Sequence, residues 1–204
     1  MSNNVPGTAA RPLLVVISAP SGAGKSTLCN LLLRDCPNLV RVITCTTRAP
    51  RGTERDGIDY HFLARPEFER RIRAGAFLEH AVVHGNRYGT LAALVRRTLA
   101  AGRDMALVID VQGAAQVRSR AARDPVLRRA LIDIFIAPPS MQVLRQRLVK
   151  RGEDTPAVVR QRIRNAATEL RCWRKFRYLV INDRLPDARA RLRAIVAAEK
   201  CRVV

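Results

Sequence analysis

Aromatic residues are scarce in this chain of 204 residues, at 4%. Lysine is scarce too: only Lys25, Lys150, Lys175 and Lys200 occur, so the net charge of +20 is carried almost entirely by arginine. A charge of that size attracts nucleic acid non-specifically. The arginines, however, are spread over the whole chain and form no basic stripe with interleaved aromatics on which bases could stack. Dedicated nucleic-acid recognition is therefore not expected, only incidental attraction. No apolar run approaches the ~20 residues of a membrane helix, and residues 1–12 lack the charged start and long apolar stretch of a secretion signal. The five cysteines (Cys29, Cys36, Cys45, Cys172, Cys201) form no C-x-x-C pair and stand at no zinc spacing with histidine. Reduced thiols in a cytoplasmic protein are the expectation. His61, His80 and His84 show neither metal-ligand nor triad spacing.

What is present is an aliphatic-rich chain, 48% apolar, long enough for one α/β domain with a sizeable core. Strand patterns at 13–18, 41–46, 105–110, 132–137 and 178–182 alternate with helix patterns at 25–35, 91–101, 112–122, 140–151, 156–171 and 186–199. That alternation predicts a parallel sheet flanked by helices. Pro139-Ser140 marks one helix start, and Asp187 falls in the first turn of the last helix. Two segments interrupt the pattern. Residues 44–90 are polar and glycine-bearing, with extended pieces near 59–63 and 77–84, and read as a small antiparallel insert. Residues 150–162 read as a charged helical hairpin kinked at Gly152, of the kind that closes over a site. The core then comprises 12–43, 91–149 and 163–199, preceded by a loop-like, flexible tail over 1–11.

After the apolar run Leu13–Ile17 comes Ala19-Pro20-Ser21-Gly22-Ala23-Gly24-Lys25-Ser26-Thr27. A strand, a glycine turn and a lysine followed by hydroxyls entering a helix make a phosphate-binding loop. Gly22 and Gly24 let successive N–H groups curl towards one anion, and the positive end of the following helix adds to the attraction. Lys25 is placed to reach the β- and γ-phosphates, and Ser26 to offer its hydroxyl to Mg²⁺. The usual pattern opens on glycine, where this chain has Ala19.

A second motif lies in the insert: Thr46-Thr47-Arg48-Ala49-Pro50-Arg51-Gly52-Thr53-Glu54, then Gly57, Tyr60 and Phe62. Two guanidinium forks three residues apart, with a phenol nearby, suit a terminal phosphate. Phe77-Leu78-Glu79-His80 and Gly85-Asn86-Arg87-Tyr88-Gly89-Thr90 follow, then Asp110-Val111-Gln112-Gly113, Ala137-Pro138-Pro139-Ser140 and Ile181-Asn182-Asp183. In this order, over residues 12–199, the chain closely resembles the bacterial-type guanylate kinases. The resemblance implies a P-loop nucleoside monophosphate kinase fold with a GMP-binding insert and a helical lid. It also implies transfer of the γ-phosphoryl of MgATP to GMP, and to dGMP, with ATP and GMP as partners and Mg²⁺ as the metal.

Carried over residue by residue, the resemblance assigns the GMP phosphate to Arg48, Arg51, Tyr60 and Tyr88. It assigns the guanine edge to Thr44, Thr90 and Glu79, with Asp110 close by. A carboxylate accepts from guanine N1–H and the 2-amino group, whereas adenine would leave it unpaired, so such a site rejects the wrong base. Asn182 falls near the ATP adenine, and Lys25, Arg51, Arg151 and Arg162 become the catalytic cations. One departure stands out: Val108 occupies a position where the family commonly has aspartate. Read as one continuous strand, positions 108 and 110 share a face, so a carboxylate is lost beside the metal. The competing reading is a non-catalytic guanylate-kinase-like binding module, which would be expected to lose the phosphate loop or the lid arginines. A sugar-phosphate kinase would have no use for a guanine-reading carboxylate. Oligomeric state stays open.

Overall fold

The computed structural model describes residues 11–83, 85–150 and 155–203. The elements follow one another as β1 (Leu14–Ser18), α1 (Lys25–Asp35), β2 (Leu39–Arg41), β3 (Cys45–Thr46), β4 (His61–Phe62), α2 (Arg65–Arg73), β5 (Phe77–Val83), β6 (Asn86–Leu91), α3 (Ala92–Ala100), β7 (Asp104–Val108), α4 (Val111–Arg123), α5 (Pro125–Ala130), β8 (Leu131–Ala137), α6 (Met141–Lys150), α7 (Pro156–Leu170), a 3-10 turn (Arg171–Lys175), β9 (Tyr178–Ile181) and α8 (Leu185–Lys200). A five-stranded parallel sheet runs in the order β2-β7-β1-β8-β9. β1 and β8 are buried at every position, as expected of parallel strands covered on both faces. Alternate residues of β1 feed two cores. Val15 and Ile17 pack with Leu28, Leu32, Leu144 and Leu192, while Leu14 and Val16 pack with Val95, Leu107 and Val117.

The insert is a four-stranded sheet, β4-β3-β6-β5. It is antiparallel except where Cys45–Thr46 lies parallel to His61–Phe62. Stacked rings of Phe68 and Phe77, 4.4 Å between centroids, fill the space between it and α2. The strand expected over 41–46 is in fact two. Leu39–Arg41 joins the edge of the main sheet, Val42 N–H donates to Ala106 O at 2.9 Å, and only Cys45–Thr46 enters the insert. The extended piece expected over 105–110 stops at Val108, so 108 and 110 do not share a strand face. Val108 packs against the core on the β1–α1 side, and Asp110 caps α4 by accepting Gly113 N–H at 2.8 Å. Four short elements, α2, β6, α5 and the 3-10 turn, have no counterpart in the periodicity.

The ends of the main sheet differ in character. At the N-terminal edge Asp104 accepts Leu13 N–H (2.8 Å) and pairs with Lys200 (2.5 Å). Buried Glu199 pairs with Arg11 and accepts the Tyr178 hydroxyl at 2.5 Å. Arg11, the last residue of the expected tail, is thus tied down. Residues 1–10 lie outside the described residues, as do 151–154 of the expected lid. The C-terminal edge carries loops instead, the position at which open α/β sheets bind ligands.

Candidate active site

The phosphate loop leaves the C-terminal end of β1 and turns back at Ala23, whose N–H donates to Pro20 O at 3.1 Å. Gly24 caps α1 with φ 90° and ψ 17°, a left-handed conformation that favours glycine. A Cβ there would also collide with the Asn182 side-chain amide. That amide donates to Ala23 O at 2.8 Å, and Asn182 is buried. The described contacts of Asn182 therefore brace the loop from the end of β9. Ala19, at the position the usual pattern gives to glycine, has its methyl in the core.

Lys25 Nζ donates to Ala19 O at 3.5 Å and Ile109 O at 3.4 Å, both long contacts. Burial pulls its pKa down, opposed by the charges of Glu169 and Asp110. The ammonium is thus held in the cup without a close partner. Ser26 and Thr27 are exposed in the first turn of α1. From the other side Arg162 Nη1, on α7, donates to Ser21 Oγ at 3.2 Å. Arg151 lies outside the described residues.

A divalent cation at the loop would have the Ser26 hydroxyl in the first turn of α1 as a donor, with the charges of Asp110 and Glu169 also acting on Lys25. A hydroxyl is a hard oxygen donor, suited to Mg²⁺ that keeps several waters and is held largely through phosphate. Among the described residues no cluster of three or more His, Cys, Asp or Glu could hold a metal by itself.

In the insert, Arg48, Tyr60 and Tyr88 converge. Arg48 Nε donates to the Tyr88 hydroxyl at 3.3 Å, and its guanidinium lies 5.4 Å from the Tyr60 ring centroid. The two tyrosine rings meet edge-on at 6.1 Å. Glu54 holds this group together. It accepts both terminal nitrogens of Arg48 at 2.9 Å and the backbone N–H of Arg51 at 2.8 Å. Those bonds raise the pKa of Arg48 and lower that of Glu54. Arg51 itself is exposed. Glu54 stands in the quoted Arg-x-x-Arg-x-x-Glu run, and its spacing was the available signal for a bracing role that the residue-by-residue assignment did not give it.

The third group is buried. Glu79 Oε1 accepts the Thr90 hydroxyl at 2.6 Å from the neighbouring strand, with Glu79 4% and Thr90 0% exposed. Burial pushes the Glu79 carboxyl up to about 7, against the Thr90 hydrogen bond and helped by Asp110. A Cβ on Gly113 would come within 2.9 Å of Glu79 Oε2, so glycine lets the N-terminus of α4 approach that oxygen. Gln116, one turn further along, clamps α4 to β5 by accepting His80 N–H (3.0 Å) and donating to His80 O (2.8 Å). Thr44 lies between β2 and β3, where its carbonyl accepts His61 N–H at 2.9 Å. Sequence reasoning missed Gly113, Gln116, Glu169 and also Arg147, which donates from α6 to Asp183 O at 3.3 Å.

The Guanylate kinase family model matches residues 11–199. The guanylate kinase of Clostridium perfringens (strain 13 / Type A) is 46% identical over 193 residues, 95% of this chain and 86% of that protein. The guanylate kinase of Brucella melitensis biotype 1 is 45% identical over 197 residues, 96% and 87% respectively. The crystal structure of guanylate kinase from Anaplasma phagocytophilum superposes with a TM-score of 0.74 at 32% identity, covering 95% of this chain and 89% of that one.

Proposed function

Because this chain belongs to the guanylate kinase family, we propose that Ala19–Thr27 receives the triphosphate of ATP while the insert receives GMP. The protein is an ATP:GMP phosphotransferase that forms ADP and GDP. The observation that carries the assignment of sites is the buried Glu79–Thr90 pair, an acceptor held away from water where a purine edge can reach it. Guanine presents donors at N1 and N2 to such a group, and adenine presents an acceptor that would leave the carboxylate unpaired.

The attacking oxygen belongs to a phosphate ionised at neutral pH, so no general base or covalent nucleophile is needed. Catalysis is positioning plus charge stabilisation. Lys25 and the loop amides orient the triphosphate. Arg48 with Tyr60 and Tyr88 fixes the monophosphate, and Glu54 keeps Arg48 from swinging. Arg51 in the insert and Arg162 on α7 are assigned to the transferring group, and the family resemblance adds Arg151. An arginine in that role is worth ~10³–10⁵ in rate. Ser26 would hold Mg²⁺, which would supply charge neutralisation to the triphosphate. Closure of the lid excludes the water that would otherwise hydrolyse ATP.

Retention of Gly24-Lys25-Ser26, and of Arg162 against Ser21, disfavours a non-catalytic binding module. The test is an ADP-release assay offering GMP, AMP, CMP and UMP in parallel with MgATP. GMP alone should support rapid turnover in the wild type, and Glu79→Ala should lose at least tenfold in kcat/KM for GMP. A preference for AMP would overturn the assignment of Glu79.

A further inference from the structure

Helix α7 lies along the phosphate loop on one face. Arg162 reaches Ser21. Ala166, one turn on, is buried in the same core cluster as Ala19 and Ala23. Glu169 is the next residue of that face, at the spacing that stacks side chains along a helix. It is half-buried and acts on Lys25 and Asp110 through their charges. No side-chain hydrogen bond and no ion pair within 4.0 Å engages its carboxylate among the described residues. Asp110, by contrast, is engaged at the cap of α4.

We propose that Glu169 makes the phosphate loop select the magnesium-complexed triphosphate over the metal-free form. The proposal rests on the reading of Ala19–Thr27 as the triphosphate cradle. A fixed negative charge beside Lys25 repels a fully ionised triphosphate that carries no cation. The same charge opposes a complexed one less, because the cation would neutralise part of the phosphate charge and offer the carboxylate a favourable partner. Lys25 and the loop amides cannot make this distinction, because they attract both forms and favour the more negative one. The preference is thus a property of the acid placed opposite them.

The test is calorimetric titration of ATP into the full chain, once with excess Mg²⁺ and once with chelator, for wild type, Glu169→Gln and Glu169→Ala. Wild type should prefer the magnesium complex. Either substitution should tighten metal-free ATP, so that the ratio of the two dissociation constants falls roughly tenfold, the size expected for two charges about 12 Å apart at an effective dielectric constant of about 20. The neutral, nearly isosteric glutamine keeps packing intact, and the alanine variant gives an independent reading. A ratio within about twofold of wild type in both variants, or no magnesium preference in wild type, overturns the proposal. If wild type binds neither form, or if Lys25→Ala binds ATP as tightly as wild type does, it is the cradle reading that fails, and the proposal with it.

Discussion

Glu79 shows what burial does to a single residue. Its carboxyl is raised from 4.5 to about 7, first by burial. The folded chain therefore holds that proton more tightly than the unfolded chain. It follows that stability without ligand falls as pH rises from about 4.5 towards 7. Guanine donors require the ionised form, so GMP binding below neutrality must release the proton, and the affinity should rise about tenfold between pH 6 and pH 8. Calorimetry in buffers of different ionisation enthalpy reads the released proton directly. In Glu79→Gln the remaining slope belongs to the ligand phosphate alone. An identical slope in both proteins would mean that Glu79 does not meet the base. The motif Phe-Leu-Glu-His identified the residue, but its protonation state was not legible, because that depends on Thr90, Asp110 and the approach of α4 at Gly113.

Among the elements, legibility followed length and periodicity. The pattern over 25–35 matched α1 end for end, and the long strands β1, β7 and β8 were placed to within two residues. Helix α2 was missed because Arg65–Arg73 fully buries only Phe68, partly buries Ile72 and is otherwise charged apart from Pro66. Its signals were Pro66 in the first turn and the Glu67–Arg71 pair, which mark a helix without giving it an apolar stripe. Helix α5 was likewise announced only by its cap, Asp124 accepting Val126 and Leu127 N–H groups. Local sequence carries caps and periods, whereas interactions between distant elements, such as the charge of Glu169 acting on Lys25 or the Asn182 hydrogen bond to Ala23, are properties of the assembled sheet. The Asn182 contact makes an element-level prediction. Asn182→Ala leaves Ala23 O without its donor at a buried position and opens space against Gly24. The loop should lose its fixed curl, and the dissociation constant for ATP should rise about tenfold, while GMP affinity stays within twofold. Equal losses for both nucleotides in equilibrium binding would point to global unfolding instead.

At the scale of the molecule the parallel sheet separates two tasks. Loops at its C-terminal edge must move around nucleotides, so their polar groups are only loosely engaged: the Lys25 contacts are long, and Arg51 is exposed. The N-terminal edge is locked. Arg11, Asp104, Tyr178, Glu199 and Lys200 join the start of the described chain, β7, β9 and the end of α8 through buried or half-buried charges. Removing one partner from such a buried group strands the others and costs about 3–5 kcal/mol. Glu199→Ala, which strands Arg11 and the Tyr178 hydroxyl, should therefore lower the thermal midpoint by roughly 10 °C in a chain of this length. Because the network lies at the opposite edge from the nucleotides, KM for ATP and for GMP should be unchanged well below the midpoint. Scanning calorimetry and steady-state kinetics on the one variant separate the two tasks. A large rise in either KM with an unaltered midpoint would show that the two edges are coupled through the strands and not insulated by them.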